Sequence, residues 1–331
     1  MKNKFKYKCK YVFKNLFLLL ITTNLLITNL ITNLCQQCIN KAYKRCEYCS
    51  REIIFNGLQI ASREETLDEI IINNKSIARF GDGEFMIMFG KRIGFQKVNK
   101  LIRTKLLNIL NSNLNNLLIG INVPFHEYEL KLRNKFSENY WKHWFDLYKF
   151  SLAKILNKHR KYYSALITRF YSVFQNKKKF PILKYIKRLK KIWDKKDVLI
   201  IEGYYSRIGI GNDLFNNTKS IKRIICPPTN AFQVYTKIIN EVKQFKIDNN
   251  FLNVIALGPT ASILAYDLSK LGFQAIDIGH ADIEYELYLR KYDNIKRIPY
   301  KYVNDAVDGH KHIEKIKDKR YYSQIIKKIM Q

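Results

Sequence analysis

The chain has 331 residues and a formal net charge of +31, from 59 Lys and Arg against 28 Asp and Glu. This charge suggests a protein that binds nucleic acid or an anionic membrane. Hydrophobic residues make up 47% of the chain and aromatic residues 14%, which supports a full core and excludes a disordered basic tail. The 13 Gly and 6 Pro also exclude a collagen-like or low-complexity architecture.

The charge is unevenly distributed along the chain. The basic excess lies in residues 1–50, 131–200 and 291–331, whereas residues 51–90 and 251–290 are each net −3. Lys outnumbers Arg 44 to 15, which is typical of an AT-rich coding sequence and of solvated surfaces. Sequence-specific nucleic-acid readers favour Arg, and a Lys-rich surface makes mostly non-specific contacts. A basic protein that binds nucleic acid is therefore an alternative hypothesis, and we expect no specific nucleic-acid partner.

Residues 1–55 form an N-terminal segment with its own composition. Six Lys between residues 2 and 14 precede an apolar run of 19 residues, Leu16 to Leu34, which is about the length that spans a bilayer. The pattern predicts an N-terminal hydrophobic helix that anchors the chain to a membrane through residues 12–34. We expect this helix to cross the membrane once and the rest of the protein to be cytoplasmic. Asn and Thr within the run leave a signal peptide or a peripheral helix as alternatives.

Four cysteines follow this apolar run as two Cys-x-x-Cys pairs. They are Cys35, Cys38, Cys46 and Cys49. Four thiolates can hold a tetrahedral zinc ion, but seven residues between the pairs is shorter than the common zinc-ribbon spacing. Zinc binding, disulfides and lipidation therefore remain alternatives. Cys226 precedes two prolines and is interpreted as a buried residue at the end of a strand.

From residue 56 onward, short β-branched runs alternate with amphipathic segments. The predicted strands are 76–80, 117–123, 163–170, 197–203, 221–226, 253–257 and 275–278. The predicted helices are 62–72, which begins with a Ser-x-x-Glu capping box, 139–158, the Lys-rich 175–196, and one that follows Ala261 and runs through Leu271. This alternation is typical of a mostly parallel α/β sheet flanked by helices. We assign residues 56–290 to a catalytic domain and 291–331 to a basic C-terminal extension.

Polar clusters follow the predicted strands, where ligands bind in parallel α/β sheets. Asp82 and Glu84 lie between glycines just past the first of these strands. In an extended turn, two carboxylates two residues apart can reach one hard divalent cation. A solvated turn that caps a helix is the alternative interpretation.

Two glycine-bearing loops are candidates for binding an anion. The loop 202–213 contains Arg207, which can pair with a phosphate, and it lacks the third glycine of a dinucleotide fingerprint. The turn at 258–261 precedes a helix, whose N–H groups and dipole attract anions. A simple helix cap at Thr260 is the alternative for the second loop.

Residues 277–286 hold the densest group of ionisable side chains. His280, Asp282 and Glu284 are candidate general bases because a solvated helix start does not need a His between carboxylates. Glu286 continues the same acidic run.

Four stretches occur together in order: SIARFGDGE at 76–84, ITR at 167–169, residues 201–232 and residues 256–286. With these motifs, the chain resembles the GT-D-type glycosyltransferases over about residues 60–290. The resemblance implies a Rossmann-like α/β domain that moves a sugar from a nucleotide-sugar donor, UDP-linked, to a glycan, glycopeptide, glycolipid or glycoprotein acceptor. It also implies Mn²⁺ or Mg²⁺, held by Asp82 and Glu84, and hexosyltransferase-like activity.

The resemblance also implies roles for the remaining residues. His280, Asp282, Glu284 and Glu286 would lie near the sugar or the acceptor, one of them as the base. The residues implied to contact the donor are Arg79, Gly81, Arg169, Glu202, Ser206, Arg207, Gly211, Asn212, Asp213, Asn230, Gly258, Pro259, Thr260 and Ala261. A different phosphate-ester enzyme on the same frame, such as a nucleotidyltransferase, is the further alternative.

Overall fold

A computed structural model describes residues 54–122, 132–177, 180–245 and 251–330. The chain divides into two compact units, Met1–Ile54 and Phe55–Gln331. The predicted membrane helix within residues 12–34 and the four paired cysteines lie outside the described residues. Within the described ranges, every helix is too short or too polar to cross a bilayer.

The second unit is built on one nine-stranded sheet in the order β1-β4-β3-β2-β8-β7-β5-β6-β9. Every pairing between neighbouring strands is parallel, which confirms the predicted α/β class. The strands are β1 Gln59–Ile60, β2 Ser76–Phe80, β3 Leu117–Ile121, β4 Lys161–Ser164, β5 Asp197–Gly203, β6 Ser220–Cys226, β7 Leu252–Ala256, β8 Ala275–Asp277 and β9 Ile325–Lys328.

Nine α-helices accompany the sheet within the described residues. They are α1 Arg63–Ile71, α2 Asp82–Met88, α3 Lys100–Leu110, α4 Lys135–Ile155, α5 Ile182–Lys190, α6 Tyr235–Phe245, α7 Pro259–Lys270, α8 Ala281–Leu289 and α9 Lys319–Gln324. Side chains of α1, α5 and α8 share one buried apolar cluster with alternate residues of β5, β7 and β8. Helix α7 packs against β2 and β8.

Local signals explain where several elements begin. Ser62 caps α1 by accepting a hydrogen bond from Glu65 N over 3.1 Å, as the predicted capping box requires. Asn134 caps α4 in the same way, so this helix begins four residues before the predicted start. Its Trp141 and Trp144 are buried, so one side of this helix packs into the core.

Two predicted elements are shorter in the structure than in the sequence analysis. The strand expected at 163–170 is β4 followed by a 3₁₀ turn, Ala165–Thr168, whose first N–H groups are capped by Ser164. The Lys-rich helix expected at 175–196 is limited to α5, which follows Pro181. Tyr185 and Leu189 are buried, so one face of α5 belongs to the core.

The segment assigned to a basic C-terminal extension is part of the second compact unit. Strand β9 extends the sheet by pairing with β6. Ile298 and Lys301 are buried, although the sequence around them is strongly basic. The chain after residue 290 therefore completes the domain, and it brings residues to the sheet edge described below.

Candidate active site

Because all strands of the sheet are parallel, their carboxyl ends meet at one edge. β2 leads into Asp82, its neighbour β8 leads into His280, and the 3₁₀ turn after β4 leads into Arg169. The structure thus brings together three regions that lie far apart in the chain. This edge contains Asp82, Glu84, Arg169 and His280 of the side chains that the sequence singles out.

Asp82 and Glu84 occupy the first turn of α2, not the extended turn expected from the sequence. Glu84 folds back over the start of its own helix, and its Oε2 accepts a hydrogen bond from Gly81 N over 2.8 Å. Burial raises the pKa of Glu84 to about 7, and the negative charge of Asp277 acts in the same direction. Asp82 Oδ2 accepts a hydrogen bond from the hydroxyl of Tyr140.

The two carboxylates offer oxygen ligands to a hard divalent cation, but they are too few to complete its coordination. Asp82 and Glu84 each use one oxygen internally, and the second oxygen of each makes no hydrogen bond within the described residues. Those residues contain no group of three or more His, Cys, Asp or Glu that could hold a metal ion. A cation held here would therefore take its remaining ligands from a diphosphate and water, as Mg²⁺ does at many sites.

Arg79 is tied into the framework beneath this edge. Its Nε donates to Asp277 O over 2.8 Å, and its Nη2 lies 2.9 Å from Asp277 Oδ1. Its Nη1 donates to Thr168 Oγ1 over 2.6 Å. A Cβ at Gly279, which has φ +46°, would lie 1.7 Å from Arg79 Nη2. Only glycine fits there, and Arg79 joins β2, β8 and the 3₁₀ turn into one rigid floor.

Arg169, His280 and Asp305 form a polar group above that floor. Arg169 Nη2 donates to Asp305 Oδ2, and His280 Nε2 lies 3.6 Å from the same oxygen. Burial lowers the pKa of His280 to about 3, with the charge of Arg169 adding to the effect. Burial opposes ionisation of Asp305, but the charges of Arg169 and His280 and the hydrogen bonds from Arg169 and Asn304 together outweigh it and hold the pKa of Asp305 far below its usual range. The group thus pairs a neutral imidazole with an ionised carboxylate near neutral pH.

Two residues of this edge were not among the residues predicted from the sequence. Asp305 lies in the segment assigned to the C-terminal extension, and Tyr140 lies in helix α4, for which no site residue was predicted. No local motif marks either residue, because Tyr140 is 58 residues from its partner Asp82 and Asp305 is 136 residues from Arg169. Only the arrangement of the folded chain reveals them.

Comparisons with known proteins show the family of the chain. The family described as "Glycosyltransferase GT-D fold" matches residues 77–306, a range that begins in β2 and ends just after Asp305. The chain belongs to the GT-D glycosyltransferase family. This membership confirms the family resemblance and favours glycosyl transfer over nucleic-acid binding.

Two curated relatives are named as glycosyltransferases. Glycosyltransferase GlyD of Streptococcus pneumoniae serotype 4 is 32% identical over 277 residues, which cover 82% of this chain and 33% of the relative. A probable glycosyl transferase Gly of Streptococcus gordonii is 32% identical over 278 residues, which cover 83% of this chain and 39% of the relative. The GT-D chain thus spans little more than a third of the length of these relatives.

Solved structures show the same fold. A structure described as the highly conserved domain of unknown function 1792 with a distinct glycosyltransferase fold is 32% identical, with a TM-score of 0.79. The match covers 86% of this chain and all of that one. A new glycosyltransferase of the same domain type from Streptococcus sanguinis is also 32% identical, with a TM-score of 0.76 over 82% of this chain and 99% of that one.

In this GT-D chain, the carboxylates predicted as bases beside His280 are buried and fully engaged. Glu284 accepts hydrogen bonds from Tyr171 N and Ser172 N, each over 2.7 Å, and from the Ser172 hydroxyl. Asp282 accepts from Gly209 N over 2.8 Å and from the ammonium of Lys301. Such saturated carboxylates hold neighbouring segments together, and this geometry assigns them a positioning role.

Glu286 belongs to the same buried group. Its Oε1 lies 3.2 Å from Lys301 Nζ and accepts from Asn212 Nδ2 over 3.0 Å. Tyr300 and Arg290 donate to it as well. We refer to Asp282, Glu286 and Lys301 as the buried acidic cluster. It joins α8 to the loop after β5 and to the chain after residue 290.

The loop 202–213 of the GT-D chain is also committed to internal contacts. Arg207 Nη1 donates to Tyr300 O over 2.7 Å and to Glu314 O over 2.6 Å, so its guanidinium holds the C-terminal segment. Glu202 Oε1 accepts from Arg223 over 2.6 Å, and both side chains are buried.

The other donor residues expected in this loop have similar roles. Ser206 N donates to Gly203 O over 2.8 Å, Asp213 Oδ2 pairs with Lys190 Nζ at 2.8 Å, and Asn212 joins the buried acidic cluster. A Cβ at Gly211 would lie 2.1 Å from the Tyr300 hydroxyl. These contacts tie the loop to α5, to α8 and to the chain after residue 290.

The turn before α7 lies at the end of β7 and supports a neighbouring loop. A Cβ at Gly258, with φ +53°, would lie 2.6 Å from Phe95 Cε2. Asn230 N donates to Phe95 O over 2.8 Å, and Asn230 Oδ1 accepts from Lys97 N over 2.7 Å. Pro259 begins α7, Ala261 N donates to Gly258 O over 2.9 Å, and buried Thr260 Oγ1 has no partner among the described residues.

Proposed function

We propose that the chain transfers a sugar from a nucleotide-sugar donor, UDP-linked, to a carbohydrate acceptor, with Mn²⁺ or Mg²⁺ held at Asp82 and Glu84. The observation that carries the proposal is the open carboxylate of Asp82 at the shared edge of β2, β8 and the turn after β4. The family of the chain supports glycosyl transfer as the reaction, and the carboxylate chemistry supports the ion.

Asp82 and Glu84 would hold the ion by the oxygen that each leaves free. When bound, the ion stabilises the negative charge that develops on the departing nucleoside diphosphate. Glu84 also keeps the first turn of α2 in place through Gly81 N. The two functions agree, since a carboxylate that is held by its own helix loses little conformational freedom when it binds a ligand.

The start of α7 is our proposed contact for the nucleotide phosphates. The first turn of a helix favours anions through its dipole and its free N–H groups. The Thr260 hydroxyl, buried without a partner, is available to the same ligand. Arg79 acts beneath the site by keeping β2 and β8 in register at the edge.

His280 is our proposed contact for the acceptor hydroxyl. Its side chain is 30% exposed, whereas the other three predicted catalytic groups are buried. The neutral imidazole can accept a hydrogen bond from a hydroxyl group. Asp305 and Arg169 orient this imidazole from the opposite side, so Asp305 is a positioning residue in this scheme.

The decisive experiment compares donor use with and without a divalent ion. A panel of UDP-, GDP- and TDP-sugars is tested by thermal shift and by release of the nucleoside diphosphate, in Mn²⁺ and in excess EDTA. We expect Mn²⁺ with a UDP-sugar to raise Tm and support turnover, and Asp82→Asn to lower turnover by about 10²-fold or more while unfolding is unchanged.

The matched control for this experiment is Asp308→Asn, which removes an exposed carboxylate that pairs with Lys311. This variant is expected to keep full turnover. Undiminished turnover in EDTA would remove the ion from the proposal. Failure of all nucleotide-sugars to bind or turn over would remove the function itself.

A further inference from the structure

Helix α4 carries an aromatic face that the core does not use. Phe136 is 81% exposed and Tyr140 is 40% exposed. They are four residues apart, so they lie on one face of the helix. The side of α4 turned towards the core buries Trp141 and Phe145, and Trp144, one turn beyond Tyr140, is buried as well. Packing of α4 onto the rest of the domain therefore does not explain the aromatic rings on the outside.

One end of this aromatic face reaches the candidate active site. The Tyr140 hydroxyl donates a hydrogen bond to Asp82 Oδ2, which places the phenol ring beside the carboxylate proposed to hold the ion. Phe136 lies one helical turn farther from Asp82 along the chain, about 6 Å along the helix axis. The aromatic face thus begins at the reaction centre and leads away from it.

The chemistry of this face matches a sugar ring better than an apolar partner. The face of an aromatic ring is electronegative and attracts the weakly positive C–H groups on one side of a pyranose. Asn139 and His143 are exposed on the same side of α4, where they can form hydrogen bonds with sugar hydroxyls. A purely apolar patch would not bring polar groups to the same surface.

We propose that Phe136 and Tyr140 form an acceptor platform that binds two consecutive pyranose rings of a glycan. The ring that receives the new sugar stacks on Tyr140, next to Asp82, and the following ring stacks on Phe136. This inference rests on the proposed function. It adds that the acceptor is an oligosaccharide of at least two rings, recognised partly through its C–H faces.

The test measures how the reaction depends on acceptor length. Transfer is measured to the methyl β-glycosides of glucose, galactose and N-acetylglucosamine and to the disaccharides cellobiose, lactose and chitobiose. The quantity compared is the ratio of kcat/KM for a disaccharide to that for its monosaccharide, in the natural chain and in Phe136→Ala. We expect the ratio to fall by roughly three- to tenfold, the range expected for one aromatic stacking contact, through a higher acceptor KM.

Leu147→Ala is the matched control because Leu147 lies on the same face of α4 and is 53% exposed. It is 11 residues beyond Phe136, about 16 Å along the helix and away from Asp82, so the ratio should not change. Phe136→Trp should preserve the ratio by keeping an aromatic ring. Equal ratios in Phe136→Ala and the natural chain, or an equal loss in Leu147→Ala, overturn the platform.

The platform and the proposed function fail in distinguishable ways. If no nucleotide-sugar is turned over, the function fails, and the platform is tested directly by saturation-transfer NMR with the same disaccharides. Binding that weakens in Phe136→Ala and not in Leu147→Ala then supports the platform, and equal binding overturns it. If Phe136→Ala instead changes only the molecular mass in solution, the face is a contact between copies of the chain and the platform is wrong.

Discussion

The two acidic regions of this protein look alike in sequence and differ in structure. Residues 51–90 and 251–290 are each net −3 in a chain of net charge +31. At the first region, Asp82 and Glu84 each make one internal hydrogen bond and keep one oxygen free within the described residues. At the second, Asp282 and Glu286 are surrounded by donors and by the ammonium of Lys301.

This contrast shows that the number of nearby donors decides what a carboxylate can do. A buried charge is tolerated only when it is paired and hydrogen-bonded, and the second region meets that requirement with Lys301, Asn212 and backbone N–H groups. A carboxylate with an unused oxygen near the surface can instead take an external cation. The first region is therefore suited to a ligand and the second to holding the fold together.

Removal of Lys301 should break the second region and give the largest effect. Lys301→Met leaves two buried carboxylates without their cation, and we expect the free energy of unfolding to fall by about 3–5 kcal/mol. Chemical denaturation followed by circular dichroism measures this change. Lys301 is 0% exposed, so solvent cannot compensate for the loss.

The control for Lys301 is an exposed ion pair in the same C-terminal segment. Lys311 Nζ lies 2.8 Å from Asp308 Oδ1 at the surface, and Lys311→Met should change the free energy of unfolding by less than about 1 kcal/mol. Similar losses in the two variants would show that the buried acidic cluster contributes no special stability. The proposed contrast between the two regions would then be wrong.

Two substitutions of Glu84 distinguish its role in capping the helix from its proposed role in binding the ion. Glu84→Ala removes the acceptor for Gly81 N and should cost about 1 kcal/mol of stability. Glu84→Gln keeps an acceptor oxygen, so its stability should stay within a few tenths of a kcal/mol. Both variants lose the charge, and both should raise the Mn²⁺ concentration needed for half-maximal turnover. If Glu84→Gln needs the same Mn²⁺ concentration as the natural chain, Glu84 only caps the helix and does not bind the ion.

The pH dependence of stability tests the polar group around His280. The pKa of His280 is lowered from 6.5 to about 3 in the folded chain, so between these values the unfolded chain binds the additional proton. The contribution of the neutral His280 imidazole to the free energy of unfolding is fully present above pH 6.5 and is lost as the pH falls towards 3. We expect His280→Gln to lose less stability than the natural chain between pH 7 and 4.5.

The difference between the two chains is the quantity to measure, because Glu84 acts in the opposite direction. Its pKa is raised to about 7, so the folded chain binds the additional proton between pH 4.5 and 7 and loses stability as the pH rises. Glu84 is present in both chains and its contribution cancels. Parallel stability curves for the natural chain and His280→Gln would contradict the lowered pKa of His280.

Much of the fold can be predicted from local sequence. Continuous β-branched runs such as 197–203 are recognisable because a central parallel strand is apolar on both faces. The capping residue Ser62 and Pro259 at the start of α7 mark helix starts through their own backbone and side-chain chemistry. Strand ends in a parallel sheet also mark the edge at which Asp82 lies.

The sequence by itself therefore determined the α/β class, the family and the edge of the sheet that carries Asp82. Only the tertiary structure decided which acidic residues are open, because the donors that engage Asp282, Glu284 and Glu286 come from distant segments of the chain. It also brought Asp305 and Tyr140 to the site from regions without a local signal. Local sequence patterns indicate backbone preference and burial. Whether a carboxylate oxygen is left without a hydrogen bond depends on residues that come close only when the chain folds.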